Sequence, residues 1–205
     1  MLLAEAFVLL ALRPEGTPAR GRTNQAAVAV GVTGALVTEL IQGRHLRLDD
    51  GRINLTGTTP CLPLLAQVLE NLKPHEGKEL KRKLAAVKHS GWSEVVDAMV
   101  AEGVLGREKA LLRPTRHPVA DKAVHAALVA EIRVAASTDG PLDERTATLL
   151  ALAGPCQMLE VVAPERADRA VAKRRIAEAT EQVPAAAAVK YVIAAMQSAA
   201  AVAAG

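Results

Sequence analysis

The sequence predicts a mainly α domain carrying two small β-hairpins. Three observations lead there. Apolar residues recur at helical spacing in one segment after another. The apolar set is almost entirely Ala, Val and Leu, with one Trp, one Tyr and one Phe in 205 residues, and such small side chains let helices approach closely. Two short stretches alternate apolar and polar instead, and each follows a helix-like run.

The chain is organised around Gly31–Leu55. Ala35, Leu36, Leu40 and Ile41 give a helix one apolar face, and Gly43 closes it. The runs His45–Leu48 and Arg52–Leu55 then alternate on either side of Asp49-Asp50-Gly51. Asp-Gly between alternating runs signals a hairpin, because Gly takes positive φ without a steric penalty. A second copy of helix-then-hairpin lies at Glu94–Arg113.

The other elements follow in order. Met1–Leu12 reads as a first helix, ended at Arg13-Pro14-Glu15-Gly16. Thr17–Asn24 is a polar loop with Arg20 and Arg22, and the second helix runs from about Asn24 to Gln42. Thr56–Pro63 is a loop with two prolines. Leu64, Leu65, Val68, Leu69 and Leu72 make an amphipathic helix. Pro74–Gly77 breaks it, and Lys78–Lys88 reads as a basic helix edged by Leu80, Leu84 and Val87.

Ser93 suits the N-cap of the next helix, whose buried stripe is Val95, Val96, Met99, Val100 and Val104. Arg107–Arg113 and Arg116–Val119 are expected to form the second hairpin, kept short by Pro114 and Pro118. The rest is helical: Asp121–Ala136, Asp143–Ala153, Cys156–Val162, Glu165–Gln182 and Ala185–Ala204. The mixed signs in Glu165–Gln182 predict a solvated face.

Length allows one good-sized core, read as a single domain over residues 1–205. The formal charge of +3 is too weak to imply nucleic acid by itself, so clustering of the basic residues is what matters. Cys61 and Cys156 show neither a metal spacing nor CxxC. Both sit among apolar residues and read as small buried hydrophobes, suited to a reducing cytoplasm. Leu2–Leu12 contains Glu5, is too short to span a bilayer and lacks a basic leader, so membrane contact is expected to be peripheral. His75, His117 and His125 are scattered and suggest neither a triad nor a zinc site. No convergent acid, base and nucleophile are visible, so a binding protein without cofactor or metal is expected rather than an enzyme.

Several pieces, in this order and spacing, resemble the Golgi phosphoprotein 3 family. They are LLAEAFVLLAL at Leu2–Leu12 with the Glu15-Gly16 turn, GALVTELIQGRHLRLDDGRI at Gly34–Ile53, and VAEGVL at Val100–Leu105. Arg107–Lys109, His117-Pro118, and LLALAGP at Leu149–Pro155 leading into MLEVV complete the set. The chain looks like a bacterial member. The resemblance implies a compact helical domain with a central bundle, surrounding amphipathic helices and two small β-hairpins.

It also implies a role. The family's eukaryotic members are peripheral membrane proteins that bind phosphatidylinositol 4-phosphate and adapt Golgi enzymes for retention. Their headgroup pocket uses a Trp before the second helix, an Arg within it, and two Arg three apart ahead of the VxxGVL helix end. In this sequence the Trp position falls near Thr23 or Asn24, the helix Arg on Thr33, and the Arg pair on His89 and Trp92. All four identities differ, and the family's long basic N-terminus is not matched. The candidate headgroup-binding residues are therefore Arg20, Arg22, Thr33, Lys88, His89 and Trp92. Lys78, Lys81, Arg82 and Lys83 form a candidate membrane-facing basic set. Protein clients and self-association through the second hairpin are further implications of the resemblance.

Basic side chains make charge-assisted hydrogen bonds to phosphates, and Arg can use two donors at once. The expected function is thus peripheral, non-catalytic binding of phosphoinositide-type or other anionic headgroups at the inner face of a membrane. Two other classes compete. Helix followed by hairpin is also the shape of a winged helix, but Glu94, Asp97 and Glu102 would oppose DNA phosphates. A structural or interaction module that has lost lipid binding is the third reading.

Overall fold

Leu3–Ala11 (α1) is helical and buried on nearly every side: Leu3, Ala4, Ala6, Phe7, Val8, Leu9, Leu10 and Ala11 all lie in the core. A helix apolar all round belongs at the centre of a bundle. The computed structural model describes residues 1–19, 25–84, 91–110 and 113–203. Gln25–Gln42 (α2) packs beside α1. By length and composition α2 could cross a membrane, but 67% of it is buried inside the protein, the setting of a core helix.

Close packing is made possible by two glycines one turn apart. A Cβ at Gly31 would lie 2.6 Å from both Cys156 Sγ and Phe7 Cε1, and one at Gly34 would lie 2.4 Å from Val189 Cγ2. Real carbon contacts are about 3.5–4.0 Å, so larger residues would push the helices apart.

After α2, Leu46–Asp49 (β1) pairs antiparallel with Arg52–Leu55 (β2), with Leu46 opposite Leu55 and Asp49 opposite Arg52. Asp50 (φ 50°) and Gly51 (φ 72°) both take positive φ, the conformation of a two-residue hairpin turn. Leu46 and Ile53 point into the core. The first hairpin is therefore as expected, one residue later at its first strand.

Pro63–Leu72 (α3) buries Leu65, Val68, Leu69 and Leu72. A turn of 3-10 helix at Lys73–His75 follows. The chain then doubles back along β2: Gly77 N donates to Ile53 O (2.8 Å), Ile53 N to Lys78 O (3.0 Å) and Leu80 N to Gly51 O (2.9 Å). These bonds correct the expected Lys78–Lys88 helix. Backbone groups committed to the hairpin are lost to a helix, so helix Leu80–Lys83 (α4) is one turn, and residues 85–90 lie outside the described set.

Gly91–Ala101 (α5) lies against α2 and α1, with Val95, Val96 and Met99 buried. Helix is already formed at Gly91, so Ser93 lies inside it and not at its N-cap. The second hairpin is shorter and shifted: Glu108–Ala110 (β3) pairs with Arg113–Arg116 (β4). Of the expected strand Arg116–Val119, Arg116 ends β4 opposite Glu108, and Val119 still bridges Leu105, with Gly106 N donating to Pro118 O (2.7 Å). His117 N donates to Gly16 O (3.3 Å) and Val119 N to Pro14 O (3.0 Å), which ties this segment to the turn after α1.

Lys122–Ser137 (α6) is capped by Asp121, whose side chain accepts from Ala123 N and Val124 N. Glu144–Ala153 (α7) is capped by Asp143 and is buried from Thr146 onward. Leu159–Val162 (α8) starts three residues later than expected, because Gln157 takes φ 59° and interrupts the helix. Arg169–Gln182 (α9) starts four residues late, after turns at Glu165–Arg169. Its Arg175 corrects the expectation of a wholly solvated face. It is buried and its Nη2 donates to Gly140 O (2.7 Å). Pro184–Ala203 (α10) closes the bundle against α2 and α4. The fold is thus mainly α, with α1, α2 and α7 at the centre and two small hairpins.

Candidate functional site

The first hairpin and the ribbon behind it gather basic side chains on one face. Strand alternation turns Ile53 inward and Arg52 outward. Arg52 Nη1 donates to Gly77 O (2.9 Å), which steadies the guanidinium beside the returning chain. Leu80 and Leu84, each 2% exposed, seat α4 in the core and leave Lys81 and Arg82 exposed and Lys83 half-buried. Arg52, Lys78, Glu79, Arg82 and Lys83 surround an open hollow of about 390 Å³.

Glu79 is part of its lining. Arg82 Nε lies 2.6 Å and Lys81 Nζ 3.5 Å from its carboxylate oxygens. Among the described residues, Arg52, Lys78 and Lys83 have no carboxylate partner. The face is therefore cationic despite Glu79. Arg52 was not legible as a member of the basic run, since it lies 26 residues before Lys78 in the sequence. Its outward place in an alternating strand was the available signal.

The positions singled out by resemblance lie elsewhere. Thr33 is buried, 4% exposed, and its hydroxyl donates to Ala29 O (3.1 Å). That corrects its candidacy as a headgroup contact, because a satisfied hydroxyl under the surface has little to offer a polyanion. Trp92 is half-buried, packs on the core and lines a hollow of about 120 Å³ with Leu12, Pro18, Gln25, Val28 and His117. Thr33 and Gly91 meet where α2 crosses α5, so Thr33 and Trp92 do belong to one neighbourhood. Arg20, Arg22, Lys88 and His89, with Thr23 and Asn24, lie outside the described residues.

Other polar groups serve the fold. His125 Nε2 lies 3.1 Å and 3.0 Å from the carbonyls of Leu9 and Leu12, at the end of α1. Glu39 Oε1 accepts from Leu3 N at the start of α1, and burial pushes its carboxyl up from 4.5 to about 7. Cys156 is buried as expected, and burial pushes its thiol up to about 12. Cys61 is exposed, contrary to expectation, in the loop ahead of α3 where no regular element turns it inward. Among the described residues no group of three or more His, Cys, Asp and Glu could hold a metal ion.

The model of the family described as Golgi phosphoprotein 3 (GPP34) matches residues 3–196. No curated protein matches the chain. The match covers every element from α1 through most of α10, including both hairpins, so the chain belongs to the Golgi phosphoprotein 3 family.

Proposed function

We propose that this protein is a non-catalytic peripheral membrane protein that binds anionic, phosphoinositide-type lipid headgroups, working in the cytoplasm at the inner face of a membrane. Family membership is consistent with a non-catalytic, lipid-associated role. The observation that supports the finer reading is the hollow lined by Arg52, Lys78, Arg82 and Lys83 with Glu79, and Lys81 beside that carboxylate. Near an anionic leaflet each basic residue contributes about 1 kcal/mol. A handful on one face gives reversible attachment without an anchor.

Neither Thr33 nor Trp92 supplies a cation at the family's headgroup position, so in this reading the hairpin face carries the attraction. Flotation with vesicles of neutral phosphatidylcholine, with and without phosphatidylserine or phosphatidylinositol 4-phosphate, tests it. Binding to the anionic vesicles and not to neutral ones is expected. Equal recovery on all of them would overturn the proposal.

A further inference from the structure

We infer that the hollow at Arg52, Lys78, Arg82 and Lys83 is a discrete binding site for clustered phosphates, with Glu79 as a built-in competitor. The inference deepens the lipid reading by giving the face a defined pocket, and only its membrane setting rests on that reading.

Three features separate a site from a diffuse patch. First, the site is assembled from two distant segments, β2 and the ribbon ahead of α4, locked together by three backbone hydrogen bonds of 2.8–3.0 Å. Its geometry is thus set before any ligand arrives. Second, Arg52 is held by one bond to Gly77 O, which leaves most of its five N–H donors for a ligand. Third, the opening of about 390 Å³ is concave and accessible. Phosphate groups take two-pronged contact from a guanidinium and point charge from lysines, and both types are present.

Glu79 has a particular consequence. Its side chain, 28% exposed, already forms an ion pair with Arg82 and lies beside Lys81. A phosphate entering the hollow competes with it for Arg82 and is repelled by it. Affinity is held down from within, so removing the charge at Glu79 strengthens binding. Arg47, on the same hairpin but outside the hollow and paired with Asp49 at 3.3 Å, provides a control with the same loss of charge.

The shared ligand chemistry is a polyphosphate group, and two arms of one experiment separate its sources. Titration calorimetry with pyrophosphate reads the soluble form, and flotation on phosphatidylinositol 4-phosphate vesicles reads the lipid form. The wild type is expected to bind pyrophosphate, Arg52→Gln and Lys83→Gln to weaken it about tenfold, and Arg47→Gln to leave it unchanged. Glu79→Gln is expected to tighten it about threefold, a gain that a misfolded variant would not show.

Pyrophosphate that also releases the protein from vesicles places the lipid headgroup in this hollow. Pyrophosphate binding with this variant order but no flotation keeps the site, assigns it to a soluble phosphate compound and removes the lipid reading. Flotation without pyrophosphate binding, weakened alike by Arg47→Gln and Arg52→Gln, keeps the lipid reading and overturns the site. Neither binding nor flotation overturns both.

Discussion

Glu39 acts as a cap for the first turn of α1 from inside an apolar bundle. It accepts from Leu3 N, its second oxygen has no hydrogen-bond partner among the described residues, and Glu5 adds repulsion that Arg145 partly offsets. Burial raises its carboxyl to about 7 against a usual 4.5. The folded state then holds a proton that the unfolded chain has released between those values. Stability from this group is therefore full below the lower value and is lost as pH rises through the upper one. Glu39→Gln keeps an acceptor for Leu3 N and removes the charge. It is expected to raise the melting temperature by about 2–4 °C near about pH 8 and to leave it unchanged near about pH 5. A difference independent of pH would show that the carboxylate is charged throughout. None of this was legible in the sequence, where Glu39 is one polar residue near the end of an apolar helix. The cysteines make the same point. Both have apolar neighbours along the chain, yet Cys156 is fully buried behind Gly31 and Cys61 is exposed. Chain neighbours predict burial where a helical or strand period applies, and the loop holding Cys61 has none.

The long helices and the first hairpin were readable element by element, because each carries its own period and its own stop. Asp50-Gly51 specifies the turn of the β1–β2 hairpin locally, and the alternation of Leu46, Leu48 and Ile53 settles its faces. The β3–β4 hairpin is shifted in register: its expected second strand still bridges Leu105, and it also bonds to the turn after α1, about 100 residues earlier, a contact no local pattern contains. The late start of α4 followed from long-range bonding too, with the ribbon at Gly77–Leu80 taken by the first hairpin. Helix packing is the other matter the elements leave open. Gly31 is the place in α2 where Phe7 and Cys156 press against the helix. Gly31→Ala would gain helix propensity of about 1 kcal/mol and lose more to overpacking, about 1–3 kcal/mol. Net destabilisation in denaturant titration is expected, with an unchanged slope. A stabilised variant would mean that the α1–α2 contact is looser than its distances indicate.

At the scale of the whole molecule, a formal charge of +3 says little until its distribution is known. On α9 two of the cations are compensated: Arg174 reaches Asp139 (2.6 Å) and Glu178 (3.7 Å), and Arg175 reaches Glu178 (3.3 Å). Across the hairpin face, among the described residues, Arg52, Lys78 and Lys83 have no carboxylate partner. Attachment to phosphatidylserine vesicles is therefore expected to fall steeply between about 0.05 and 0.5 M salt, as the Debye length shrinks to a few ångströms. The double change Lys78→Gln with Lys83→Gln should at least halve the bound fraction, and Arg174→Gln should not alter it. Equal effects from both would place the attraction in net charge rather than in one face. By itself, the sequence determined the helical class, the first hairpin and the family, since periodicity, turn chemistry and motif order are properties of neighbouring residues. Tertiary structure alone decided that Arg52 joins Glu79 and the lysines around it and that Thr33 is shut away, because both depend on segments that meet only when the core closes.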